Sequence, residues 1–243
     1  MKKKWIAFNS IVGVVRKKNE DKINCFFKDN IKIFIICDGM GGHPYGEFAA
    51  KYTIEKFEEK FFKFNFLNLK NHDQYFNWLI DTVKLIKNEM YKIAQKDYSK
   101  FDMGTTLSVC LNVNNNLYIV NIGDCRVYLF LKAKLIQATV DQNLLNAKEY
   151  KFLLKGSSHT MQKLLISALG PNKQTNIDTY FFKDFNGFII LTSDGFHDFV
   201  KFNEFYDILI KYSDNLKKCC NYLIDKALKN NSNDNISVLI AKV

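Results

Sequence analysis

Proline is nearly missing from this 243-residue chain, with two residues in all, and no stretch reads as a linker, a low-complexity tract or an internal repeat. At this length one domain over residues 1–243 is expected. No apolar run approaches membrane-spanning length. The opening MKKKWIAFNSIVGVV is broken by Asn9 and Ser10 and followed by Arg16, Lys17 and Lys18 without a small-residue cleavage site, so it reads as a first strand rather than a signal peptide. Repeated CxxC pairs are also missing. The six cysteines, Cys25, Cys37, Cys110, Cys125, Cys219 and Cys220, mostly sit inside apolar runs, which fits buried thiols in a reducing, cytoplasmic setting better than a zinc site or a disulfide framework. With 47% hydrophobic and 15% aromatic residues, disorder is excluded as well.

Acidic residues are the scarcer charge, 25 against 35 Lys and Arg, for a net charge of +10. The lysines are scattered over every predicted helix, and the chain is rich in Lys, Asn, Ile and Phe, as under a codon bias toward A and T. A solvated basic surface is expected, with no dedicated nucleic-acid site and no membrane contact, on a monomer. Such a surface still attracts phosphorylated partners.

What is present is strand and helix in a definite order. Residues 5–15 and 23–27 read as strands, and the second joins the apolar run ending at Asp38 through the turn at 28–30, a hairpin. Apolar spacing predicts long amphipathic helices over 45–65 and 74–95. Four strands at 105–113, 117–122, 126–131 and 134–139 follow with connections too short for crossover helices, which predicts an antiparallel meander. Residues 141–165 are irregular and read as a helix with a surface flap, placed at about 142–166. Asn186-Gly187 predicts a hairpin between strands 177–182 and 188–191. Two helices, near 203–211 and 214–229, and a last strand at 236–243 close the chain. The fold class expected is α+β: a four-layer αββα sandwich of two antiparallel sheets face to face, with antiparallel helices on both outer faces.

Four aspartates share one local grammar. Asp38 follows IFIIC and precedes a run containing Gly39, Gly41, Gly42 and Gly46. Asp124 stands between YIVNIG and CRVYLF, Asp194 follows FIILTS, and Asp234 precedes NISVLIA. Each falls at a strand end, and Asn19-Glu20-Asp21 follows the first strand. A lone Asp-Gly is a turn; four at strand ends converge if those ends meet at one edge of the sandwich. Coulomb repulsion then demands cations, and an oxygen-only cluster suits Mg²⁺ or Mn²⁺. A pair of such ions can clamp an in-line displacement at phosphorus.

The pieces Arg16-Lys-Lys-Asn19-Glu20-Asp21, Asp38-Gly-Met-Gly-Gly-His43, Gly104-Thr105-Thr106, Gly123-Asp124-Cys125-Arg126, Ala168-Leu169-Gly170, Ser193-Asp194-Gly195 and Asp234-Asn235-Ile236 run in order over residues 16–236. In them the chain resembles the metal-dependent protein phosphatases of the 2C type, especially the compact bacterial Ser/Thr phosphatases. The resemblance implies the αββα sandwich and direct hydrolysis of phosphoserine and phosphothreonine in proteins, the products of a Ser/Thr kinase, by water bridging two Mn²⁺ or Mg²⁺ ions. It implies that Asp38 bridges the ions, that the Gly39 carbonyl ligates one, and that Asp194 and Asp234 ligate the other. Glu20 and Asp21 act beside them, partly through water, and Asp124 with Asp194 holds a third, weaker ion. Arg16 receives the substrate phosphate, which suits a bidentate donor. His43 is the candidate general acid, against a plain turn residue beside Pro44, and His159 the candidate flap contact to the phosphate, against exposed polar surface.

Three departures stand out: Asp141-Gln142 where the family usually has Asp-His, Ile166-Ser167 where Thr-Arg is common, and Ser232-Asn233 in place of the usual glycine before Asp234. None removes an expected ligand. They bear on the flap and on substrate preference. Two other readings remain: a two-metal phosphohydrolase acting on small phosphate esters or nucleotides, and a catalytically silent phosphoprotein-binding scaffold.

Overall fold

The computed structural model describes residues 5–40, 45–147 and 158–243, with the side chains of His159 and Thr160 outside the description. His43 therefore lies outside the described residues, as does part of the expected flap.

Among the described residues, ten strands form two five-stranded antiparallel sheets. The first runs in the order β1 (Ile6–Ile11), β10 (Ile236–Lys242), β9 (Phe188–Thr192), β6 (Arg126–Leu131), β7 (Lys134–Gln137). The second runs β2 (Asp21–Lys28), β3 (Ile31–Asp38), β4 (Leu107–Val113), β5 (Asn116–Ile122), β8 (Asp178–Phe182). Helices α1 (Gly46–Lys63) and α2 (His72–Lys96) cover the β2–β8 sheet, and α5 (Phe202–Tyr212) and α6 (Leu216–Lys229) cover the other. Two four-residue helices, α3 (His159–Gln162) and α4 (Asp194–His197), and two single 3-10 turns at Phe66–Asn68 and Tyr98–Lys100 complete the described elements.

The apolar runs are continuous because both faces of the central strands are buried. Along β3, Ile33, Ile35 and Cys37 meet Phe57, Phe61, Leu79, Ile86 and Met90 of the helices, whereas Phe34 and Ile36 point into the sheet–sheet core. Strand β10 divides likewise: Ile236, Val238 and Ile240 face α6 and its neighbours, and Leu239 and Ala241 face the sandwich interior. Period-two alternation thus sorts a wholly apolar strand between two cores. Asn71 and Gln74 make a reciprocal capping box that starts α2.

Three expectations fail. The strands from 105 to 138 are not one meander: β4–β5 and β6–β7 are true hairpins, but β5 and β6 lie in different sheets, so Gly123-Asp124-Cys125 is a crossing between sheets. Likewise Asn186-Gly187 does not close a hairpin, because β8 pairs with β5 while β9 pairs with β6 and β10. A short connection limits distance, and a neighbouring sheet satisfies that limit as well as a neighbouring strand. These two hairpins carry positive φ at both central residues, Asn114-Asn115 (48° and 65°) and Lys132-Ala133 (48° and 58°), as type I′ turns demand. The first strand also stops at Ile11 rather than Val15, shortly before Gly13 at φ 76°.

Candidate metal centre

Strand ends from both sheets meet at one edge. Asp38 is the last residue of β3, and its main chain is pinned on both sides: its N–H donates to Thr106 Oγ1 (2.9 Å), and its carbonyl accepts from Thr106 N (2.8 Å) and Thr105 Oγ1 (2.9 Å). Asp21 begins β2 directly opposite it in register. Asp124 stands on the crossing between the sheets, Asp194 opens α4 after β9, and Asp234 lies just before β10. The backbone just after Asp194 and that just after Asp234 touch so closely that a Cβ on Gly195 would fall 1.9 Å from the Asn235 carbonyl oxygen. Only glycine allows that approach.

These elements enclose a cavity of about 270 Å³ whose wall includes Glu20, Asp38, Gly39, Asp124, Asp194 and Asp234, with Arg16 at its rim. Asp21 stands behind it, 2% exposed, with Oδ2 accepting from Ser193 Oγ and Ser237 Oγ, both at 2.7 Å. Arg16 Nη2 donates to Asp234 Oδ2 at 2.7 Å. Asn235 braces the loop that carries Arg16: its Oδ1 accepts from Glu20 N, and its Nδ2 donates to the carbonyls of Val12 and Lys18, all at 2.9 Å.

Burial above all, and then repulsion from neighbouring aspartates, Asp21 foremost for Asp38 and Asp124 foremost for Asp194, push both carboxyls well above the usual carboxylate range. Burial, reinforced by Asp141 and Asp198, lifts Asp124 to about 7. Asp21 rises to about 6 through burial, tempered by its two serine donors. Glu20 is raised by burial too. Asp21 Oδ1 and Asp194 Oδ1 are buried without a partner. Acceptor-only oxygens crowded in this way fit a hard divalent cation, which would replace protons as the neutralising charge. Among the described residues no three Asp, Glu, His or Cys side chains are grouped tightly enough to hold an ion by themselves. A Mg²⁺-like ion does not need that, since it takes one or two carboxylates and keeps several waters.

The three departures each have a local replacement. Gln142 Oε1 accepts from Gly123 N (2.8 Å) and its Nε2 donates to the Asn176 carbonyl (3.2 Å), bracing the turn that carries Asp124. Its neighbour Asp141 accepts from Arg126 through Nε (2.9 Å) and Nη2 (2.6 Å). Ser167 Oγ accepts from Asn176 N at 2.9 Å. Ser232 Oγ donates to the Gly195 carbonyl at 2.7 Å, holding the approach to Asp234 against α4. Cys37 and Cys125 are buried, and burial together with the neighbouring aspartates holds both thiols well above their ordinary range, so they stay protonated. Residue-by-residue reading had not singled out Ser237, Lys163 or Asp198. Ser237 lies inside a strand and the other two carry no distinctive local pattern, so no signal short of the fold marks them. His159 lies in α3, but its side chain is outside the description.

The family model for protein phosphatase 2C matches residues 9–152 and 174–236. The chain is 29% identical to the serine/threonine phosphatase stp of Listeria monocytogenes, covering 97% of this chain and 94% of that protein. The solved serine/threonine phosphatase Stp1 from Staphylococcus aureus superposes with a TM-score of 0.86 at 29% identity, over 98% of this chain and 94% of the other. The S. agalactiae serine/threonine phosphatase shares the fold with a TM-score of 0.85 at 22% identity, over 98% of each chain. With its sheets, its acidic edge and its matched residues in agreement, the chain belongs to the protein phosphatase 2C family.

Proposed function

We propose that this chain hydrolyses phosphoserine and phosphothreonine in proteins, the products of a Ser/Thr kinase, and that Asp38, Asp194, Asp234 and the Gly39 carbonyl hold two divalent ions, Mn²⁺ or Mg²⁺. One observation carries the reading: Asp38, Asp194 and Asp234 line one shared cavity, where Asp38 and Asp194 are buried carboxyls among further carboxylates. When bound, the ions supply the charge that offsets the phosphoryl oxygens and makes water acidic enough to serve as nucleophile.

The chain's own groups then divide the work. The main chain of Asp38 is held by Thr105 and Thr106, which fixes the point from which its carboxylate projects. Asp21, fixed by Ser193 and Ser237, and Glu20 supply negative charge behind it. Asp124 with Asp194 is the pair for a third, weaker ion. Arg16 rests on Asp234, and once Asp234 serves as a ligand the guanidinium fork is free to take two phosphate oxygens. His43 is proposed to donate the proton that the leaving alkoxide needs, and His159 to contact substrate from the flap. A monomer working in the cytoplasm completes the proposal. No helix among the described residues is long and apolar enough to cross a membrane.

Hydrolysis of an aryl phosphate with and without Mn²⁺ tests this. Asp38→Asn and Asp194→Asn each lower the Mn²⁺-dependent rate by at least about 100-fold. Metal-independent turnover, or full activity in both variants, overturns the mechanism. A phosphothreonine peptide tested against nucleotides separates a protein phosphatase from an enzyme of small esters.

A further inference from the structure

Only two cationic side chains line the acidic cavity among the described residues, Arg16 and Lys163. Lys163 follows α3 and contacts a carboxylate oxygen of Asp198, the residue that caps α4. Asp198 N–H donates to the Asp194 carbonyl at 3.0 Å, so this ion pair sits one turn from a cavity aspartate.

The ion pair is not what holds the segment in place. The carbonyls of Gln162 and Leu164 accept from Leu145 N (2.9 Å) and Leu144 N (3.0 Å), and Ile166 N donates to the Gln142 carbonyl (3.0 Å). Main-chain bonds therefore set the position of the segment, and the ammonium is left in the wall on a flexible four-carbon stem. With side chains 31% and 18% exposed, Lys163 and Asp198 remain in contact with water, so exchanging one anion for another costs little.

Charge decides where that ammonium goes. Five carboxylates against two cations leave the lining acidic, and that balance reverses once divalent ions are bound. A phosphate dianion entering a lining so reversed offers Lys163 more negative charge than the single carboxylate of Asp198. We propose that Lys163 is a second phosphate-binding residue, resting on Asp198 when the site is empty of phosphate and turning to the phosphoryl oxygens when it is filled. The proposal rests on the phosphatase reading above and adds to Arg16 a contact presented by a different segment. Asp198 then competes with the phosphate for Lys163.

This gives the two partners opposite signs. Calorimetric titration of inorganic phosphate into Mn²⁺-saturated protein reads it directly, with aryl phosphate hydrolysis followed in parallel. Lys163→Gln weakens phosphate binding by about tenfold, the worth of one hydrogen bond to a charged group, and Lys163→Arg restores most of it. Asp198→Asn strengthens phosphate binding by a few-fold, because the competitor is gone. A structural latch between Lys163 and Asp198 would instead make both variants weaken binding together, and that result, or no change in either, overturns the proposal. If Lys163→Gln fails to fold, the sign of the Asp198→Asn effect still decides. Wild-type protein that binds phosphate through Lys163 without hydrolysing esters would sink the phosphatase reading alone. Hydrolysis with phosphate affinity indifferent to both variants would sink this one alone.

Discussion

Stripped of metal, the protein should become less stable as pH rises, the reverse of what salt-bridged carboxylates produce. Asp124 shows this most clearly. Its carboxyl titrates near 7 in the fold against an ordinary value of 3.8. Below the ordinary value it is protonated in both states and its stabilising contribution is fully present. Between the two values the unfolded chain ionises while the folded one does not, and stability falls by about 1.4 kcal/mol per pH unit until the folded group ionises as well. From about pH 5 to about pH 8 that amounts to about 3 kcal/mol, or about 6–12 °C in melting temperature for a chain of this size. Scanning calorimetry of chelator-treated protein at the two pH values measures it. Asp124→Asn cannot ionise, so its melting temperature should fall less over the same range, by an amount matching this contribution. Mn²⁺ should stabilise wild-type protein more at the higher pH, where fewer protons must be displaced. Identical pH slopes for wild type and Asp124→Asn, or equal Mn²⁺ stabilisation at both pH values, would refute the assignment of a repelled, metal-ready carboxylate at this crossing.

Other consequences concern packing and thiol chemistry. Gly195→Ala places a methyl group against the Asn235 carbonyl and must push apart the turns carrying Asp194 and Asp234; a loss of about 1–3 kcal/mol in denaturant unfolding is expected, with weaker Mn²⁺ affinity by calorimetry. Native stability and metal affinity in this variant would show that the two turns do not depend on their contact. Cys37 and Cys125, buried and held protonated, should resist thiol reagents at mildly alkaline pH until denaturant is added, as counted by dithionitrobenzoate titration. Rapid labelling of either in native protein would contradict the burial on which this rests.

Much of the molecule was legible in the order of residues because its signals are local. An apolar β-branched run is a strand wherever it lies, and Asp38, Asp124, Asp194 and Asp234 were placed at strand ends by the runs beside them. Helix spacing marked α1 and α2, and seven short motifs in order pointed to the family. What the chain could not announce was which sheet each strand would join. The links at Gly123-Asp124-Cys125 and at Asn186-Gly187 look like hairpin turns, yet both pass between sheets, because the apolar faces of β5, β6, β8 and β9 are buried only when these strands are shared between two layers. Side-chain partners distant in sequence were equally silent: Arg16 meets Asp234 across 218 positions, and Ser237 reaches Asp21 across 216. Residue order by itself determined the carboxylates, the strands that deliver them and the chemistry they suit. Tertiary structure alone decided that Arg16 rests on Asp234, that Gln142 braces the Asp124 turn and that Lys163 enters the wall, because a contact is set by how the layers close and not by any pattern within reach of either partner.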